Sequence, residues 1–180
     1  MSYGPGAGPA PRALQDTELA DLLARQRFGA LATQKSSGRP HLSTVAYTWD
    51  PERQVVRIST IADRLKVRQL QRDPHGALYV ASDDFRSYAV AEGEAELSPV
   101  STEPGDEAGL ELLAMQPNAP RDQEAFLRQM VHDRRMTIRL QVTRLYGTAL
   151  DVTGEAASEP SPWPSPAAAP LQGLAGRPPW

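Results

Sequence analysis

Apolar and polar positions change period several times along this chain, and each change marks an element. Leu19, Leu22 and Leu23 recur at helical spacing behind Asp16 and Thr17, both good N-caps, so a helix is predicted over about residues 17–26. Residues 28–34 read as a first strand, closed by the turn Ser37-Gly38-Arg39-Pro40. One strand-like run covers residues 41–49, and a second covers 55–60 after a turn at Asp50-Pro51. A helix over about 63–72 stops before Asp73-Pro74, because proline disfavours helical geometry in the residue before it. Residues 77–82 form a fourth strand.

The cleanest alternation lies at 88–97. Glu92, Glu94 and Glu96 share one face; Ala89, Ala91, Gly93, Ala95 and Leu97 share the other. The acidic face reads as solvated. The small-residue face permits close approach and is a candidate surface for a second copy of the chain. Two helical segments follow, at about 104–115 and 121–133. The last strand sets Met136, Ile138, Leu140 and Val142 against Thr137, Arg139, Gln141 and Thr143, ending at Leu145-Tyr146-Gly147.

Strands in runs joined by short connections predict an α+β fold with antiparallel strands and flanking helices. A closed or split barrel is the economical way to avoid exposed edges. Residues 1–13 and 151–180 lack hydrophobic periodicity, and the second is rich in proline and alanine. Both are expected to be disordered tails around one domain at 14–150. The alternative for the C-terminal segment is a Pro-rich ligand or lid anchored by Trp163 and Trp180.

Composition narrows the function. Nineteen Lys+Arg against twenty-two Asp+Glu argue against a nucleic-acid partner. There is no cysteine, hence no thiol nucleophile or thiolate metal site, and the histidines His41, His75 and His132 are too scattered for a metal. No apolar run approaches the roughly 20 residues that span a bilayer, and no signal peptide opens the chain, so a cytoplasmic protein without a membrane partner is expected. Neither a Gly-x-Ser-x-Gly elbow nor a Gly-x-Gly-x-x-Gly loop occurs.

The richest chemistry is at 59–68. Hydroxyls of Ser59 and Thr60 end a strand; Arg64, Lys66 and Arg68 follow at a helix start, where backbone amides are free. Hydroxyls, amides and cations together suit a phosphate. Taken alone, the cations also fit a solvated helix face. A spacing of two puts Arg64 and Lys66 on different faces of a regular helix, so they converge only if the first turn wraps around the anion.

Several stretches, in order, resemble the split β-barrel flavin and deazaflavin oxidoreductases, the superfamily that includes pyridoxamine 5′-phosphate oxidase. They are Gly29-Ala30-Leu31-Ala32-Thr33, Gly38-Arg39-Pro40-His41-Leu42-Ser43, Tyr47-Thr48-Trp49-Asp50-Pro51, Arg64 to Leu70, Arg72-Asp73-Pro74, Ser87 to Gly93 and Asp133-Arg134-Arg135. Within that superfamily the chain is similar to the actinobacterial branch that binds coenzyme F420, a deazaflavin with a phospholactyl-oligoglutamate tail. The resemblance implies an FMN-binding-like split barrel and a homodimer with cofactor at the interface. It implies that Ser59, Thr60, Arg64 and Lys66 surround the cofactor phosphate. It places Ser43, Thr44 and Val45 along the ring, partly through backbone, and lets Arg134 or Arg135 reach the cofactor of the other subunit. Two positions depart from the family pattern: Gln69 stands where Asn is frequent, and Thr44 where some relatives carry Asn.

The expected activity is hydride transfer from reduced F420 to a small organic molecule: a quinone, tetrapyrrole, nitro compound or enone. The alternatives are an FMN enzyme of the same fold and a non-catalytic binder of F420, flavin or haem. Pyridoxamine 5′-phosphate oxidation is disfavoured, since no C-terminal Arg-Leu-x-Pro segment is present. Arg57, Arg68 and Arg72 are expected to line an exit for an anionic tail.

Overall fold

Two long strands carry the architecture of the computed structural model, which describes residues 11–150. They are β7 (Ser87–Leu97) and β8 (Arg135–Leu150), paired antiparallel along their length. Around them lie β1 (Pro11–Ala13), α1 (Asp16–Arg25), β2 (Phe28–Gln34), β3 (Pro40–Ala46), β4 (Thr48–Asp50), β5 (Val55–Ile61), α2 (Leu65–Arg72), β6 (His75–Ala81), α3 (Glu107–Ala114) and α4 (Gln123–His132). The strands run β3-β2-β6-β7-β8-β5-β4 in one antiparallel sheet, with β1 added to the end of β8. This is the expected α+β split barrel.

The sheet ends define the split. β3 and β4 sit at opposite ends of the strand order yet are separated in sequence by Tyr47 alone. The single strand expected over 41–49 is therefore two. Tyr47 N–H still donates to Arg27 O (3.1 Å), in register with the β2–β3 ladder, and its hydroxyl donates to Leu23 O (2.7 Å) at the last turn of α1. Burial pushes its phenol pKa above the ordinary tyrosine value. Beyond Tyr47 the ends part. β4 pairs only with Val55–Arg57, so Ile58–Ile61 have no strand on that edge and face β3 across a gap.

The concave side is filled by Leu19, Leu22 and Leu23 of α1, Leu70 of α2, and Leu31, Val56, Ile58, Leu78, Val80, Ile138 and Leu140 of the sheet. Ala89 and Ala91 are fully buried in this core. The small-residue face of β7 thus packs inside the chain, which corrects its reading as a surface for a second copy. Gly93 shows why the face is small: a Cβ there would lie 1.8 Å from Gln141 O. At this point the ladder slips, with Glu92 opposite Arg144 but Gly93 opposite Val142, so Thr143 is an extra residue. The bulge shifts the inward phase of β8 from Met136, Ile138, Leu140 and Val142 to Leu145 and Gly147.

Helices α3 and α4 lie against β8 and are each capped by an aspartate. Asp106 accepts from Gly109 N (2.7 Å) and Asp122 from Ala125 N (2.8 Å). Both helices begin about two residues later than the periodicity predicts, at these caps. Among residues expected in the N-terminal tail, 11–13 pair with 148–150; residues 1–10 and the C-terminal segment lie outside the described residues. Among the described residues no helix is long and apolar enough to cross a membrane.

Candidate cofactor cleft

The gap between β3 and β5 is a cleft of about 490 Å³ lined by His41, Ser43, Thr44, Ser59, Thr60, Ile61, Arg64, Leu65, Lys66 and Arg135. Three local features build it. β3 is the last strand of the sheet, so its outer edge has no strand partner. The upper half of β5 is likewise free. Residue Arg64 is extended (ψ 146°) and forms the N-cap of α2, which starts at Leu65, not at Asp63 as periodicity suggests. That extended residue lets Arg64 and Lys66 line one cleft despite a spacing of two.

The cleft is short of counter-charge. α2 has no acidic residue in its first turn and no side-chain cap on its N-terminus. Among the described residues neither Arg64 nor Lys66 has a carboxylate partner. Burial, and then the Arg64 charge, hold the Lys66 pKa below the ordinary lysine value. An anion placed here would relieve that repulsion. Arg135 contributes a third cation, with Nη1 donating to Ser59 Oγ at 3.4 Å. Its Nε, 3.7 Å from Asp133 Oδ2, has no hydrogen bond. Ser43 Oγ and Arg135 Nε are two of three buried side-chain polar atoms without a hydrogen-bond partner among the described residues; the third is Trp49 Nε1 on β4. Such orphans are uncommon in folded proteins, and two of the three border this cleft. The donor set therefore fits a phosphorylated cofactor.

Of the nine residues singled out in the sequence, seven meet here: Ser43, Thr44, Ser59, Thr60, Arg64, Lys66 and Arg135. Val45 does not present its side chain, which is 5 % exposed and packed in the core, so only its backbone is available. Arg134 is also outside; it pairs with Asp63 (Nη1 to Oδ2, 3.0 Å). Arg57, expected near the exit, is instead held by Asp50 (3.1 Å) and Glu111 (3.4 Å) under α3. Sequence reasoning passed over His41, which shares the inward face of β3 with Ser43 by simple alternation.

The cleft adjoins an apolar hollow of about 490 Å³ on the outer face, lined by Phe28, Ala30, Tyr79, Phe85 and, on the shared wall, Thr44. Phe28, Phe85 and Tyr79 are 67 %, 79 % and 41 % exposed, and Leu42, on the same strand as Thr44, is 66 % exposed. Tyr88 stacks on Tyr79 with ring centroids 5.4 Å apart. A third hollow, about 540 Å³, is bordered by Asp73, Glu92 and Glu94, a lining of the wrong sign for a phosphate.

Solved structures share this architecture. One is an F420 reductase, 24 % identical, matching 69 % of this chain and 93 % of its own with a TM-score of 0.51. A conserved hypothetical protein from Mycobacterium tuberculosis is 22 % identical over 82 % of this chain and 94 % of its own, with a TM-score of 0.63. An FAD-binding protein from Mesorhizobium loti is 16 % identical over 78 % and 97 %, with a TM-score of 0.57. At these identities the likeness concerns the fold. The family model described as pyridoxamine 5′-phosphate oxidase matches residues 15–149, from the cap of α1 to the end of β8. With all but β1 and the last residue of β8 inside that match, the chain belongs to the pyridoxamine 5′-phosphate oxidase family of flavin- and deazaflavin-binding oxidoreductases.

Proposed function

We propose that this chain binds coenzyme F420 in the β3–β5 cleft and is an F420-dependent oxidoreductase acting on a conjugated organic acceptor of the quinone, tetrapyrrole, nitro or enone type. The observation that carries the reading is the cation set Arg64, Lys66 and Arg135, with no carboxylate partner for the first two, beside an uncapped helix start and the orphaned Ser43 Oγ. Reduced F420 supplies a hydride when bound. The protein's part is to hold donor and acceptor together and exclude water. Arg64, Lys66 and the first amides of α2 hold the phosphate, with Ser59 and Thr60 beside them. Ser43, Thr44 and the backbone of Val45 lie along the ring. That an F420 reductase has this fold supports the choice of cofactor.

A second copy of the chain belongs to this reading. The exposed apolar face of Phe28, Leu42, Tyr79 and Phe85 is the docking surface for a homodimer, and Thr44 joins it to the cleft. Burying such a face is favourable by roughly 25 cal/mol per Å².

FMN is the second reading, favoured by one observation. The anionic tail of F420 needs a cationic exit, and Arg57 is committed to Asp50 and Glu111. Arg72 is partly occupied by Gln34 O, which leaves Arg68 as the exposed candidate. Spectral titration of the full chain with F420 and with FMN decides. Tighter F420 binding at low salt, with the preference shrinking as ionic strength rises, is expected. Equal or tighter FMN binding overturns the F420 reading, and binding of neither overturns both.

A further inference from the structure

The cleft contains one nitrogen whose bonding is set from behind. Gln69, on the buried side of α2, is 2 % exposed. Its Oε1 accepts from Thr33 Oγ1 at 2.7 Å and lies 2.9 Å from His41 Nδ1. Thr33 is itself 5 % exposed and stands opposite His41 in the β2–β3 ladder. A carboxamide oxygen only accepts, so Nδ1 carries the ring proton. In the neutral imidazole the other nitrogen, Nε2, is then a bare acceptor. Among the described residues no hydrogen bond or ion pair engages Nε2.

That arrangement does not serve packing. A buried carboxamide is costly unless bonded, and apolar side chains at positions 33 and 69 together would fill the same interior without that cost. The clamp also needs the longer side chain: an asparagine is one methylene shorter and withdraws its oxygen from Thr33 and His41. The residue that departs from the family pattern is thus the one that fixes the His41 ring. The other nitrogen groups in the cleft, on Arg64, Lys66 and Arg135, are donors only. They suit a phosphate. A polyhydroxylated chain needs an acceptor as well.

We propose that His41 is a ligand-reading acceptor: its Nε2, left bare by the Gln69–Thr33 clamp on Nδ1, accepts a hydrogen bond from a hydroxyl of the ribityl chain between ring and phosphate. Gln69 is the positioning residue. The inference rests on the cofactor reading above and adds to it the part of the ligand that His41 recognises.

Two measurements test it. In long-range imidazole ¹H–¹⁵N spectra of the unliganded full chain, His41 shows the Nδ1–H tautomer, and Gln69→Leu abolishes that preference. An Nε2–H tautomer in the unsubstituted protein means that the amide is turned over, and it overturns the proposal. In fluorescence titrations, His41→Phe weakens whichever of F420 and FMN the full chain binds more tightly about tenfold, His41→Gln restores most of the loss, and neither change affects a flavin phosphate whose linking chain lacks hydroxyls. Equal weakening of both ligands overturns the role of His41 while leaving the cofactor reading intact. If the unsubstituted chain binds neither FMN nor F420, the cofactor reading falls, and the ribityl assignment falls with it.

Discussion

Charged side chains have opposite fates at the two ends of β5. Toward α3 they are saturated. Arg139 makes two bonds to Glu111 (2.9 and 2.8 Å) and one to Glu96 (2.7 Å), while Arg57 bridges Asp50 and Glu111. Toward β3 they are not. Arg64 and Lys66 face each other's charge without a carboxylate, and Ser43 Oγ and Arg135 Nε are buried without a hydrogen bond. The same residue types therefore mean different things. A paired cluster pins helix to sheet; an unpaired one is a binding surface whose partner arrives from outside. Composition and spacing do not separate the two, but partners do.

The largest expected effect tests the seam that carries the saturated side. Gly93→Leu drives a side chain into Gln141 O, where even a Cβ has no room. Overpacking costs about 1–3 kcal/mol when side chains can yield, and more when the obstacle is backbone. Chemical denaturation is expected to show loss of the native fold or a loss of stability beyond that range. A native-like stability would mean that β7 and β8 separate easily, and the seam would not be the rigid base assumed here.

Next comes the ion network itself. Glu111→Ala leaves Arg139 and Arg57 without their shared partner beneath α3. Removing one member of a fully buried pair costs about 3–5 kcal/mol; these groups are partly exposed, so about 2 kcal/mol is expected in urea unfolding. Cofactor affinity should stay unchanged, because no member of the network lines the cleft. Lys66→Ala is the mirror image. Stability should hold within about 0.5 kcal/mol, while loss of a charge-assisted contact weakens cofactor binding by about 1.5–3 kcal/mol. If Lys66→Ala destabilises the fold and leaves affinity untouched, the two ends of β5 have been assigned the wrong way round.

Much of the fold was legible because burial has a period. β2 begins and ends where its apolar run does, and β7 and β8 alternate visibly. What the sequence hid depends on tertiary partners. The break at Tyr47 is anchored by its hydroxyl on Leu23 O, a contact that no local pattern announces. The bulge at Thr143 is a mismatch between strands, invisible in either alone. β1 was missed because three exposed residues carry no periodicity. In the site, the phosphate cluster was legible from residue types, since hydroxyls and cations are contiguous. Arg57 was misplaced because adjacency in sequence to Ser59 does not say which acid will claim a cation. Gln69 and His41 are 28 positions apart, and only packing of α2 against β2, the strand beside β3, brings them together.

The smallest expected effect comes from a cluster that is paired like the first region and exposed to water. His75 Nδ1 lies 2.7 Å from Asp73 Oδ1, with Glu94 Oε1 3.7 Å from Nε2. The Asp73 hydrogen bond and then its charge raise the His75 pKa, and the same hydrogen bond lowers that of Asp73. A raised histidine pKa gives stability that is complete below the ordinary value of about 6.5 and lost as pH climbs through the folded-state value. The lowered Asp73 pKa adds stability above the ordinary carboxylate range, lost as pH falls through its folded-state value. The pair therefore contributes between those limits, most in mild acid. Thermal melts of the full chain and of His75→Ala should differ slightly near pH 5.5 and converge in alkali. Because His75 is 73 % exposed, high salt should erase the difference, whereas the Glu111→Ala deficit should persist in salt. A deficit of His75→Ala as large and as salt-resistant as that of Glu111→Ala would show that pairing alone, without burial, makes a charge structural. The contrast along β5 would then turn on partners only; the expected outcome makes it turn on partners and shelter together.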